Sequence, residues 1–174
     1  MRFASYVATS ALLCVGVMAS AAGPKAAHAD LMDAQGTKIG QARITSTANG
    51  VKVSLKVSQL TPGEHGIHIH NVGKCDGPAF TTAGGHFNPT GAHHGVKNAQ
   101  EPRPHAGDLE NLKVGQNGKA NATFMISGVT LADGQNSLFH EGGTALVIHA
   151  KADDLMSDPS GNSGDRIACG VIEK

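Results

Sequence analysis

The sequence predicts an all-β fold, and three observations carry that expectation. Residues 51–60, VKVSLKVSQL, alternate between apolar and polar without a break, the period of a strand with one buried and one solvated face. Turn-forming pairs and tetrads containing glycine or asparagine separate several such stretches, as they do between antiparallel neighbours. Helical periodicity, with apolar residues three and four positions apart, is nearly absent. Short strands joined by frequent turns close into a sandwich or a barrel.

The N-terminal segment stands apart from this pattern. Arg2 precedes an apolar run from Tyr6 to Ala22, and Ala27-His28-Ala29 followed by Asp30 fits the small-x-small rule of signal peptidase;. Residues 1–29 are therefore expected to be a cleaved signal peptide and residues 30–174 the mature single domain, with an earlier cut after Ala21 also fitting the rule. Ser10, Gly16, Ser20 and the polar break at Gly23 to Lys25 leave the apolar run short for a membrane span;. Ala11-Leu12-Leu13 lacks the small residue that precedes a lipidated cysteine, which argues against lipidation at Cys14.

Along the mature chain, Ile39 to Ser46 is expected to pair through the Asn49-Gly50 turn with the alternating strand. Val51, Val53, Leu55 and Val57 of that strand face inward, and Lys52, Ser54, Lys56 and Ser58 face outward;. In GEHGIHIH, residues 63–70, strand geometry puts His68 and His70 on one face and Ile67 and Ile69 on the other;. Asn111 to Val114 and Ala120 to Ser127 flank Gly115-Gln116-Asn117-Gly118 and read as a second hairpin, and Thr144 to His149 and Arg166 to Ile172 complete the strands. Residues 71–107 and 152–165 lack alternation, and loops of that length in a compact domain usually carry function or are disordered.

Composition narrows the function classes. Without Arg2 and Lys25, 12 basic residues face 14 acidic ones, a net charge of −2 with histidines neutral. No basic run interleaved with aromatics suggests nucleic acid, and nothing in the processed chain calls for a membrane. The processed chain holds two cysteines, Cys75 and Cys169, and an even count in an oxidising compartment points to one disulfide between them.

The histidines carry the chemistry. Ten occur in the chain, nine of them after Ala29. His68, His70 and His149 sit on strands, while His86, His93, His94, His105 and Asp108 come from the long loop. Three imidazoles and a carboxylate make a closed tetrahedral zinc site, and a set of imidazoles in near-planar array suits divalent copper. Two four-coordinate ions need eight positions and the chain offers seven good side chains, so one must serve twice, and His86 lies between the two groups.

GIHIH, AGGHFNP, the His94-Gly95 pair, HAGDL, LVIHAKADDL and GDRIACGVI together resemble the copper-zinc superoxide dismutase family over nearly all of residues 63–172. The resemblance implies a Greek-key β-barrel, an immunoglobulin-like sandwich architecture with two long functional loops. It implies copper on His68, His70, His86 and His149, and zinc on His86, His94, His105 and Asp108. His94 is taken over His93 because it precedes glycine, as the family pattern requires. Asp153 would link His68 with His94, His65 would be structural, and Arg166 would orient the anionic substrate, superoxide. The implied reaction is dismutation to dioxygen and hydrogen peroxide through a Cu(II)/Cu(I) cycle, with His86 carrying a proton. The chain ends at Val171-Ile172-Glu173-Lys174 without the apolar tail of the usual family dimer, which leaves a homodimer open. With the export signal, a periplasmic or secreted enzyme is expected. A non-enzymatic copper carrier would lack a zinc ligand or the arginine, and a structural zinc domain would have no use for His149 or Arg166.

Overall fold

Nine strands and no α-helix make up the described part of the computed structural model, which comprises Met1 and residues 25–174. The apolar run from Tyr6 to Ala22, with the alternative cut after Ala21, lies outside the described residues. The strands are β1 (Ala26–Asp33), β2 (Lys38–Thr47), β3 (Gly50–Val57), β4 (Gly63–His65), β5 (Ile67–His70), β6 (Leu112–Val114), β7 (Ala120–Ser127), β8 (Ala145–His149) and β9 (Arg166–Val171). Seven form one antiparallel sheet in the order β5-β8-β9-β1-β2-β3-β7, and β4 pairs with β6 apart from it. The crossings that set β7 beside β3 and β9 beside β1 give the sheet a Greek-key path;.

The alternation in β3 does what its period requires. Val51, Val53, Leu55 and Val57 are buried, with Ile44 of β2, Leu31 of β1 and Phe124 and Ile126 of β7 in the same core cluster. Fully burying an aliphatic side chain of this kind contributes about 1.5–3 kcal/mol, so this half of the sheet is fixed by packing alone. Ile67 and Ile69 of β5 and Leu146 and Ile148 of β8 enter the same core, which leaves the intervening side chains of β5 to point the other way.

One expectation is corrected here. The stretches around Gly115–Gly118 do not form a two-stranded hairpin. The turn exists, with Gly118 N donating to Gly115 O at 2.9 Å. Its two arms take different partners, however: β6 pairs with β4, and β7 pairs along its whole length with β3, from Gly50↔Ser127 to Val57↔Ala120. β7 gives one edge to β3 along its whole length, while β6 is drawn into a separate two-stranded pairing with β4.

Strand β1 also reaches ahead of Asp30, into the end of the expected leader. Ala26, Ala27, His28 and Ala29 lie in β1 opposite Thr45, Ile44, Arg43 and Ala42. Ala27 and Ala29 are buried, and His28 exchanges backbone hydrogen bonds of 2.8 Å with Glu173 in both directions. The Ala-His-Ala motif that fits the peptidase rule thus supplies three of the eight residues of β1.

Candidate metal centre

The outer edge of β5 gathers the long loop. Phe87 N donates to Ile69 O at 2.8 Å and Ile69 N to Gly107 O at 2.9 Å, while Gly107 N donates back to Phe87 O at 2.8 Å. Isolated bridges then set His86 opposite His70 and Asp108 opposite His68. A segment without its own strand period is ordered by borrowing the ladder of β5, and its histidines arrive beside those of β5 for that reason.

Two donor clusters result. His68, His70, His86 and His149 offer nitrogens that all lie within 4.8 Å of one another, and so do His86, His94, His105 and Asp108. Hydrogen bonds fix which nitrogen each ring presents to the first cluster. His68 donates from Nε2 to Asp153 at 2.7 Å, His70 from Nδ1 to Gly84 O at 2.9 Å, and His149 from Nδ1 to Gly164 O at 3.1 Å. That leaves His68 Nδ1, His70 Nε2, His86 Nε2 and His149 Nε2 buried with no hydrogen-bond partner. Leaving buried polar atoms unsatisfied costs about 1–3 kcal/mol each, and four converging bare nitrogens suit a metal that takes lone pairs.

The second cluster closes around one carboxylate oxygen. Asp108 Oδ1 lies 2.8 Å from His86 Nδ1, 3.0 Å from His94 Nδ1 and 3.2 Å from His105 Nδ1, and the His86 and His105 nitrogens are 3.4 Å apart. A tetrahedron with zinc-like bonds of 2.0–2.1 Å has edges of about 3.3 Å, so the donor set fits such an ion. The other oxygen of Asp108 accepts from Gly95 N at 2.8 Å and His105 N at 3.0 Å, which aims the carboxylate. His86 faces the first cluster with Nε2 and the second with Nδ1, as a shared ring must.

The carboxylate of Asp153 spans the two clusters. It accepts from His68 Nε2 at 2.7 Å and from His94 Nε2 at 3.0 Å, and its own backbone exchanges 2.8 Å hydrogen bonds with the side-chain amide of Asn111. Gly161 passes directly over this group at φ +61°, where a Cβ would overlap Asp153 Oδ1 and His94 Nε2. Only glycine fits there.

Electrostatics separate the clusters. Burial pushes His68 down to about 3, against the pull of Asp153, and His149 down to about 4; it lowers His70 and His86 as well. These rings are neutral at physiological pH, the state that binds metal. Burial also opposes a charge on His94, but the flanking Asp108 and Asp153 outweigh it and raise this ring to about 9. Burial alone would raise both carboxylates, and the hydrogen bonds they accept from the histidines hold them well below the usual range instead.

Arg166 starts β9 and closes one wall of a cleft of about 430 Å³ lined also by Pro78, Ala79, Thr81, Gly164 and Asp165. Its guanidinium donates to Phe80 O at 2.7 Å and Gly84 O at 2.6 Å. The Cys75–Cys169 disulfide, spanning 94 residues, ties the loop that carries Phe80 and Gly84 to β9. A larger hollow of about 760 Å³ on β1, β2, β3 and β7 gathers no such donors.

The residues expected from sequence to carry chemistry, His68, His70, His86, His94, His105, Asp108, His149, Asp153 and Arg166, converge on these two clusters and the adjoining cleft. His93 points elsewhere, pairing with Asp158 at 2.9 Å. His65 is structural, donating from Nδ1 to His149 O at 2.7 Å. His140 stacks on Phe87 with ring centroids 5.3 Å apart. Asn98, Asn111 and Asp158 touch the clusters' supports and were not foreseen, because polar loop residues far apart in sequence carry no periodic signal.

An antiparallel, curled-sheet fold with a histidine-rich double centre points to a metal-binding protein, and comparison with known proteins narrows the class. Residues 38–172 match the family described as copper/zinc superoxide dismutase. A copper-zinc superoxide dismutase of Aquifex aeolicus (strain VF5) is 49% identical over 148 residues, covering 84% of this chain and 86% of that one. Among solved structures, a superoxide dismutase-like protein from Bacillus subtilis superposes with a TM-score of 0.79 at 38% identity, over 83% of this chain and 96% of its own. The Cu/Zn superoxide dismutase from Brucella abortus does so with 0.67 at 28%, over 85% and 99%. The chain belongs to the copper/zinc superoxide dismutase family. It is an oxidoreductase with copper and zinc as cofactors and superoxide as substrate.

Proposed function

We propose that His68, His70, His86 and His149 hold copper, that His86, His94, His105 and Asp108 hold zinc, and that Arg166 receives the substrate anion. The four bare nitrogens of the first cluster carry this reading, because each ring of the set has its other nitrogen committed to an acceptor or to the second cluster. Copper bound there supplies the one-electron exchange by which one superoxide becomes dioxygen and the next, with two protons, becomes hydrogen peroxide. His86 moves one of those protons at Nε2, the nitrogen that faces both the first cluster and the reacting side. Arg166 orients a small anion through the donors it does not spend on Phe80 and Gly84, and its charge concentrates anions locally on a chain with no net positive charge;.

Metal analysis with a superoxide-consumption assay tests the assignment. One copper and one zinc per chain with turnover abolished by a copper chelator is expected. Zinc alone, or turnover indifferent to the chelator, contradicts it. The relative named superoxide dismutase-like makes this test necessary, since likeness of fold does not by itself place the metals.

Export rests on the apolar run Tyr6 to Ala22 and on the disulfide, which suits an oxidising compartment, periplasmic or extracellular. The start of β1 at Ala26 and the 3.0 Å bond from Ser46 N to Lys25 O support a cut ahead of Lys25, and of the two positions that fit the peptidase rule they favour Ala21. Among the described residues no helix is long and apolar enough to cross a membrane.

A further inference from the structure

We propose that Asp158 is a positioning residue for the zinc ligand His94, holding its main chain as Asp108 and Asp153 hold its ring. The inference rests on the zinc assignment above and extends it to a residue 64 positions away in sequence. His94 N donates to Asp158 Oδ1 at 2.6 Å. The other oxygen accepts from His93 Nδ1 at 2.9 Å and from Asn98 Nδ2 at 3.1 Å. Asn98, 7% exposed, also donates to His94 O at 3.1 Å and to Met156 O at 3.0 Å. Both backbone groups of His94 are therefore gripped by one carboxylate–amide pair, while Asp108 and Asp153 take Nδ1 and Nε2 of its ring.

The geometry makes this grip specific to the metal loop. Lys97 N donates to Leu155 O at 2.8 Å, and Gly95 at φ +81° lies so close to Leu155 that a Cβ would overlap its carbonyl. Residues 153–158 thus lie along residues 93–98, and Asp158 closes the far end of that contact. Its neighbour Asp154 differs. Asp154 accepts from Met156 N, Ser157 N, Ser157 Oγ and Asn162 Nδ2, all within its own loop, and touches no histidine. The two aspartates separate an effect on the loop's own shape from an effect on the zinc ligand. Residues that hold metal ligands from outside typically change metal affinity 10–100-fold when removed.

The test is cobalt(II) bound at the zinc position of the full processed protein with copper in place, followed by its visible spectrum and by competition with a chelator. Asp158→Ala is expected to weaken cobalt and zinc by about 10–100-fold and to shift the cobalt bands. Asp158→Asn, which keeps an oxygen for His94 N, is expected to recover part of the loss, and Asp154→Ala to stay near the parent. Copper affinity should hold in all three. Equal losses for Asp158→Ala and Asp154→Ala, or an unchanged spectrum in Asp158→Ala, would overturn the positioning role. If His105→Ala also leaves cobalt binding unchanged, the zinc assignment falls, and the role of Asp158 with it.

Discussion

Arg166 and His70 share one acceptor. The guanidinium donates to Gly84 O at 2.6 Å and the imidazole Nδ1 donates to the same oxygen at 2.9 Å. A residue at the mouth of the cleft and a residue of the first cluster are thereby registered to one peptide group, two positions before His86. Arg166→Ile should keep both metals, since His70 retains the carbonyl. It should lower kcat/KM roughly tenfold or more and flatten its dependence on ionic strength, because local field and orientation are both lost. Stopped-flow or pulse-radiolysis rates between low and high salt measure this, and unchanged turnover would contradict the role of Arg166.

Asp153 is the second point where separate parts of the centre meet. Asp153→Asn can place at most one acceptor oxygen before two imidazole donors. One of His68 and His94 then loses its orientation. We expect copper or zinc affinity to fall about 10–100-fold, read by chelator competition, with the disulfide-linked barrel intact by circular dichroism. Parent affinities for both ions would make the span between His68 and His94 irrelevant to binding.

The shifted histidines make a pH prediction for the metal-free protein. His68 and His149, at about 3 and 4 in the fold, and the similarly lowered His70 all bind protons more readily when unfolded, where the ordinary value is 6.5. Their neutral burial is therefore compatible with full stability above pH 6.5, and stability is lost as pH falls below it, by up to about 1.4 kcal/mol per pH unit for each ring. His94, raised to about 9, acts with the opposite sign: its contribution is complete below 6.5 and fades as pH rises toward 9. Denaturant midpoints of the metal-free form should fall between pH 7 and 5, by a total on the order of 3–6 kcal/mol. A flat profile there would mean that these rings are not neutral and buried.

Much of this architecture can be read from the chain because its signals are local. The period of β3 and the Asn49-Gly50 turn specify both the strand and its partner β2, and the His-x-His of β5 specifies a shared face. The loop's candidate ligands stand out by residue type and by the family resemblance, since no period marks them, and their convergence depends on backbone bonds to β5 that sequence does not display. One feature was misread for a physical reason. The β6–β7 turn looks like a hairpin because turn chemistry is local, whereas the preference of β7 for β3 is not. The start of β1 fits both a leader's end and a strand, because alanine, small enough for the peptidase rule, is also small enough for the barrel interior.

The overlap of β1 with the expected leader yields a measurement. A chain starting at Asp30 would lose four residues of β1, including the buried Ala27 and Ala29 and the two bonds between His28 and Glu173. Intact mass of the exported protein should place its first residue ahead of Lys25. A version truncated to Asp30 should unfold at lower denaturant, by about 2 kcal/mol or more from lost burial and hydrogen bonds. A native mature form that begins at Asp30 and is equally stable would contradict the role of β1.

The most direct measurement is electron paramagnetic resonance of the protein loaded with copper(II) at both clusters. If the ring of His86 joins the two ions through Nδ1 and Nε2, their unpaired electrons couple. The low-temperature signal should then be that of a coupled pair, reverting to isolated copper when acid protonates the ring. Two independent copper signals at neutral pH, with both positions filled, would show that His86 serves one ion only and that the double centre described here is wrong.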